Sequence, residues 1–245
     1  DGALEGLLSN NPAVGYLVGH GERALNDNQN GAGVFRNLSS DLYDFIEINL
    51  GKDEIPPGIK TMIINGPKSP IPEEELYALD QFLMRGGSLM VLADPYEIVQ
   101  TQNAPPSYLP INHGLTGMFS RYGIELERNI LLDKNAYTVR QQFGEMPLYY
   151  VPMLGKESLD QEHPVTRNLG QVAFFAASSL NRVENPPAEV DLRVLARSSG
   201  EAWTMEENID LNPMGMSPPA DSDLRSYPLM ILAEGYFPSF FDGPL

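Results

Sequence analysis

Residues 61–95 constrain the fold more than any other stretch. They read T-M-I-I-N-G-P, then S-P-I-P-E-E-E-L-Y-A-L-D-Q-F-L-M-R-G-G, then S-L-M-V-L-A-D-P. The outer segments are short apolar runs without polar alternation, as expected of strands covered on both faces. The segment between them carries helix signals. Pro72 suits a first helical position, where no amide hydrogen is needed. Glu73, Glu74 and Glu75 place negative charge at the positive end of the helix dipole. Leu76, Leu79, Phe82 and Leu83 recur at helical spacing, and Gly86 suits a left-handed stop. The stretch therefore predicts strand, helix, strand, the repeating unit of an α/β fold.

The flanking chain extends this pattern. Residues 1–12 read as a polar lead-in, and 13–18 (A-V-G-Y-L-V) as a first strand. Residues 23–33, rich in Asn, Asp and Gly, read as a loop. A helix is expected over 34–43, with Val34, Leu38 and Leu42 on one face, and a strand over 44–50. Residues 97–112, with Pro105, Pro106 and Pro110, read as an irregular excursion. A helix over 113–122 and a strand over 129–132 follow. Strand–helix alternation across 13–133 predicts a mostly parallel sheet with helices on both faces. Beyond it, strands are expected over 147–154, 171–177, 192–196 and 228–233, and a long loop over 206–226. The expected division is an α/β core over 1–140 and an irregular β-rich part over 141–245 that packs on or completes it.

Charge and composition narrow the function. Sixteen Lys and Arg stand against 33 Asp and Glu, a net charge of −17. Such a surface repels phosphate backbones, which argues against nucleic acid as a partner. The chain has no cysteine, so cysteine nucleophiles, disulfides and thiolate metal sites are excluded. No apolar run approaches the roughly 18 residues needed to span a bilayer. The first residue is Asp1, not Met, which reads as a piece of a longer protein.

If the sheet is parallel, three strand ends converge: Gly19-His20-Gly21-Glu22, then Asn65-Gly66-Pro67, then Asp94-Pro95. Ligands of open α/β sheets bind beyond such ends. The candidate ligand-binding residues are therefore His20, Gly21, Glu22, Asn65, Gly66, Pro67, Asp94 and Pro95. Trp203 joins them as an aromatic that could stack on a sugar ring, with simple packing as the plainer reading. Gly19-His20-Gly21-Glu22-Arg23-Ala24 matches a relaxed dinucleotide fingerprint, but an Asn-rich loop follows where a helix should open. The segment from Asn26 to Asn37 resembles a calcium loop but lacks the Asp and Glu at its ends. His20, His113 and His163 show no metal-ligand spacing. No catalytic residue, metal or cofactor is expected. The alternative is a hydrolase or transferase using His20, Glu22 and Asp94.

The order of segments V-G-Y-L-V-G-H-G-E, the 64–95 block, R-Y-G-I, H-P-V-T and L-A-E-G-Y-F-P-S-F-F resembles the GldG-like auxiliary proteins of ABC-type transport systems. These are linked to gliding motility in some bacteria. The resemblance spans nearly the whole chain, and the 64–95 block is its most specific part. It implies a non-catalytic, extracytoplasmic (periplasmic) domain of a membrane-anchored protein, held between membrane helices outside this sequence. The implied partners are permease and ATPase subunits. The implied core is flavodoxin-like, similar to class I glutamine amidotransferases and to a domain of intraflagellar transport proteins. A glycan-binding role has been suggested for that wider group. Amidotransferases carry a cysteine at a strand-end elbow; Asp94 stands at the corresponding strand end here, which argues against their chemistry.

Overall fold

The computed structural model describes residues 11–100, 105–141 and 144–243. Most of the expected lead-in lies outside these residues. The chain divides into two compact units. Unit 1 takes Asp1–Asp94, Ile111–Met118 and Phe237–Leu245, and unit 2 takes Pro95–Pro110 and Phe119–Tyr236. The units are thus discontinuous in sequence, and position 140 lies inside unit 2.

Unit 1 begins with β1 (Ala13–Leu17), α1 (Gly33–Ser39), β2 (Asp44–Ile48), β3 (Thr61–Asn65), α2 (Glu73–Met84) and β4 (Ser88–Leu92). The four strands form one parallel sheet in the order β2-β1-β3-β4. The chain moves one way from β1 to β2 and the other way from β3 to β4. Right-handed crossovers then put α1 and α2 on opposite faces. On the α1 face, Val14, Tyr16 and Ile63 pack with Leu25 and Ala32, and the Phe35 ring lies 5.4 Å from that of Phe45. On the other face, a Cβ at Gly15 would meet Ile48, Met62 and Ile59.

The α2 signals act as expected, with one change. Pro72 is the N-cap, at φ −59° and ψ 154°, and Glu73 opens the helix. The Pro72 carbonyl accepts the first intrahelical bond, from Leu76 N–H at 2.9 Å, which is the N-cap role. At the other end Gly86 adopts φ +85°. Gly87 N–H donates to Phe82 O and Gly86 N–H to Leu83 O, both within 3.0 Å, the paired bonds of a Schellman stop. A Cβ at Gly87 would fall 2.4 Å from the Phe82 ring, so only glycine fits there. Leu76, Leu79 and Phe82 are buried, as is Asp80. Asp80 accepts Ser239 O–H at 2.7 Å and Phe240 N–H at 2.9 Å. It thereby holds residues 239–241 against the helix, where the Phe241 ring packs 5.2 Å from Tyr77.

Helix α1 departs from expectation. It ends at Ser39, and Val34, Leu38 and Leu42 are exposed, Leu38 by 80%. In a helix of two turns, the positions facing the sheet are Phe35 and the small Ala32–Gly33 entry, so the spaced aliphatics point outward.

Unit 2 corrects the expectation that the parallel sheet continues to residue 133. Its strands are β5 (Tyr96–Val99), β6 (Ser107–Pro110), β7 (Ile124–Leu126), β8 (Ile130–Asp133), β9 (Ala136–Gln141) and β10 (Gly144–Leu154). Then come β11 (Val172–Ala173), β12 (Leu180–Arg182), β13 (Val190–Arg197), β14 (Ala202–Met205) and β15 (Pro228–Gly235). Every pairing is antiparallel: β5–β6, β7–β12, β8–β14, β9–β10–β11 and β13–β15. A parallel neighbour requires a crossover of a dozen or more residues, and the three residues between β7 and β8 are too few for one. The expected irregular excursion is the β5–β6 hairpin, apart from residues 101–104, which lie outside the described residues. Helix α3 (Leu115–Arg121) carries the chain from unit 1 into unit 2. The core of unit 2 gathers Leu131, Leu154, Leu159, Ala196, Ala202, Tyr227 and Leu229.

Candidate ligand site at the strand ends

The strand order reverses between β1 and β3. In open parallel sheets this switch point leaves a crevice at the carboxyl ends. The loop after β1 turns through Gly19 (φ +125°) and Gly21 (φ +79°). These angles aim His20 back into the protein, where it is 5% exposed. The His20 carbonyl accepts Lys68 N–H at 2.8 Å and Ser69 N–H at 3.0 Å, tying the loop to the segment after Pro67, itself buried.

His20 stands between two carboxylates. Its Nδ1 lies 3.1 Å from Glu22 Oε1, and its backbone N–H donates to Glu22 Oε2 at 2.7 Å. Its Nε2 lies 3.2 Å from Glu75 Oε2. That oxygen is buried and has no hydrogen-bond partner among the described residues. The sequence placed Glu75 only in the charge of a helix terminus. Its role at the crevice follows from α2 starting beside the β1 loop, for which the local sequence carries no signal.

Arg23 organises the solvent side. Its N–H donates to Asn65 O at 2.9 Å, and its own carbonyl accepts Tyr16 O–H at 2.6 Å. The Asn65 amide donates to the same hydroxyl at 2.9 Å. Burial pushes the Tyr16 phenol above its ordinary value, against a smaller opposing effect of the Asn65 bond. The Arg23 guanidinium reaches Asp94 Oδ2 at 3.4 Å, with side chains 50% and 39% exposed. Gly66 lies beneath this pair in the left-handed conformation, φ +66°. A Cβ there would make only ordinary contacts, 3.5 Å from Asp94 and 3.6 Å from Arg23. The backbone angle therefore selects glycine, while crowding does not.

The structure joins His20 with Glu22 and gives Asp94 to Arg23. Gly21, Asn65, Gly66 and Pro67 build the loops around both pairs. Pro95 opens unit 2, and Trp203 lies within it on β14. Trp203 is 8% exposed and packs 5.3 Å from the Tyr149 ring, which agrees with the plainer packing reading. In the Asn-rich loop, Asp27 accepts the N–H groups of Gln29 and Asn30. These bonds hold its carboxyl below the usual range, Asn30 contributing most. Among the described residues, no group of three or more His, Cys, Asp or Glu is arranged to hold a metal, and no helix is long and apolar enough to cross a membrane.

These features define an α/β unit with a polar rim at a parallel-sheet switch point, in a chain that also holds an antiparallel unit. Residues 11–245 match the family described as ABC-type uncharacterized transport system. The chain belongs to that family. A protein of Borreliella burgdorferi, named only as uncharacterized, is 30% identical over 166 residues. That match covers 65% of this chain and 32% of the relative, so it spans about a third of the relative's length. Among solved structures, the mmIFT52 N-terminal domain superposes with a TM-score of 0.55 at 14% identity, over 78% of this chain and 74% of the other. That likeness concerns the fold alone. A Bacteroides uniformis protein described as ThuA-like gives a TM-score of 0.43 at 18% identity, over 78% and 70% of the two chains.

Proposed function

We propose that this chain is a non-catalytic, extracytoplasmic domain of a membrane-anchored transport component, and that the β1/β3 rim receives a ligand or a partner subunit. The observation that carries this reading is the division of labour at the rim. The groups suited to proton transfer, His20 and Glu22, are buried in mutual contacts. The backbone donor that could greet an anion, His20 N–H, is taken by Glu22. What faces solvent is the long Arg23–Asp94 contact. A loose exposed pair of this kind exchanges partners at little cost, and two planar polar groups suit a hydroxyl-rich ligand such as a glycan. The four-strand order 2-1-3-4 supports a flavodoxin-like reading of unit 1, and with it the amidotransferase-like comparison of fold without chemistry. Permease and ATPase subunits are the proposed partners, and a gliding-motility-like system the proposed setting.

The test is a glycan array and a thermal-shift screen on the natural chain, on Arg23→Ala and on Asp94→Ala. Transport is assayed in a strain carrying each variant. Binding or transport lost in both variants, with melting temperature kept, supports the reading. Silence in all assays removes the rim from function. The hydrolase or transferase alternative rests on the His20–Glu22 contact. It requires turnover that His20→Ala abolishes while the fold persists.

A further inference from the structure

We propose that the open edge of β2 is a docking site for an extended segment of a partner polypeptide, which joins the sheet as a fifth strand. This inference is independent of the rim reading, since it concerns the opposite flank of β1. Strand β2 ends the sheet, and among the described residues no strand pairs with its outer side. The register shows which backbone groups are free. Asp44 N–H donates to Pro12 O, and Ile48 O accepts Val18 N–H. In a parallel ladder this phase commits the backbone groups of residues 44, 46 and 48 to β1. The N–H and C=O groups of Phe45 and Glu47 therefore face outward, and no partner for them exists among the described residues. The next outward donor is already satisfied: Asn49 N–H meets Asp53 Oδ2 at 3.3 Å. The open edge is thus a short, bounded template.

This edge is recessed. A groove of about 710 Å³ runs over Phe45 to Ile48, lined by Leu25 and Arg36 and by Lys52, Asp53 and Glu54. Leu25 belongs to the α1 face of the sheet. The connector 52–59 descends to Gly15 on the other face. Residues before and after β2 thus line the groove on either side of the edge, leaving room for one extended strand. Five residues in β conformation span about 17 Å, the length of β2.

Charge and pattern define the occupant. The groove carries two cations, Arg36 and Lys52, and three carboxylates, Glu47, Asp53 and Glu54. The chain as a whole bears −17. A second copy would be repelled, and a basic segment attracted. Phe45 and Glu47 share one face of the strand with Val14 and Tyr16, while Ile46 and Ile48 share the other. The segment that fits alternates apolar residues, one of them against the part-exposed Ile46, with Lys or Arg, against the exposed Glu47.

The probe is a fluorescein-labelled peptide, Lys-Val-Lys-Val-Lys-Val-Lys, capped at both ends. Its control has every backbone amide N-methylated, which keeps the charge and removes the donors. Anisotropy and amide hydrogen exchange are read on the 245-residue chain. Saturable binding is expected, weakened at least tenfold for the methylated peptide, with new protection at Phe45 and Glu47. Glu47→Pro should weaken binding at least tenfold, because it deletes an outward N–H that lies outside the β1 ladder. Glu47→Gln, which keeps that N–H, should weaken it two- to threefold. If Glu47→Pro does not fold, the methylated comparison on the natural chain decides. Equal binding of both peptides, absence of saturation, protection elsewhere, or dimerisation that protects Phe45 without peptide would each overturn the proposal.

Discussion

Unit 1 and unit 2 are both built around β-strands but assembled by opposite means. In unit 1 each parallel neighbour is reached through a nearby connection, and β3, α2 and β4 occupy 32 consecutive residues, Thr61–Leu92. In unit 2, β8 pairs with β14 and β7 with β12 across more than 50 residues. Loop closure must precede such contacts. Polar anchors then take part in fixing their register. At the end of β8, the buried Asp133 accepts Ser199 N–H and Asn135 N–H at 2.7 and 2.9 Å, and the Ser199 hydroxyl as well. The comparison teaches that buried polar anchors serve both units, Asp80 in unit 1 and Asp133 in unit 2, while the strand pairing itself is more local in unit 1.

The sharpest way to break this contrast is to hollow each core in turn. Leu79 and Leu131 are both fully buried, and leucine-to-alanine changes at such sites cost about 2–5 kcal/mol. Leu79→Ala should strip amide-exchange protection first from β1, β3 and β4, and Leu131→Ala first from β8 and β14. Equal loss across the whole chain in both variants would mean that the units do not open separately.

A somewhat smaller effect is expected at the rim. His20→Ala removes a buried ring that lies against Glu22 and Glu75, which should cost about 2 kcal/mol by urea denaturation. An unchanged midpoint would show that the imidazole is not what holds that loop. Asp80→Ala leaves the Ser239 O–H and Phe240 N–H without their acceptor, at a cost of about 2 kcal/mol. The change should appear as faster exchange at the Phe240 amide, and unaltered exchange there would contradict it.

The smallest effect is a pH dependence in unit 2. The Arg193 guanidinium, and after it the Glu162 N–H, hold the Asp160 carboxyl at about 2, below the ordinary 3.8. A carboxyl depressed on folding contributes stability in full above its unfolded value. That contribution fades as pH falls from about 4 through about 2. A carboxyl-carbon NMR titration should place the Asp160 midpoint in that low range, and Arg193→Ala should move it up towards the ordinary value. A midpoint near 3.8 in the natural chain would mean that the Arg193 contact does not persist in solution.

Legibility differed between the units for the same reason. The periodicity of 73–84, the acidic first turn and the Gly86 stop are local signals, and α2 formed where they pointed. The convergence of the β1 and β3 ends could be inferred once alternation suggested a parallel sheet. The pairing of His20 with Glu75 could not, because α2 starts 50 residues beyond the β1 loop. Nor could the outward face of Leu38, since helical spacing marks an apolar side without saying what covers it. Strands β7, β9, β12 and β14 lack a strong local pattern. They are strands because a distant partner supplies their hydrogen bonds.

What the sequence determined by itself was therefore the kind of element and the broad class: parallel α/β units with polar strand ends, without cysteine chemistry, in an acidic chain. Propensity, capping and hydrophobic period act over a few residues and survive in any context. Tertiary structure alone decided the discontinuous units, the burial of His20 between two glutamates, the Arg23–Asp94 pair and the recessed edge of β2. Each depends on which remote segment reaches a given place, and no residue's neighbours along the chain carry that information.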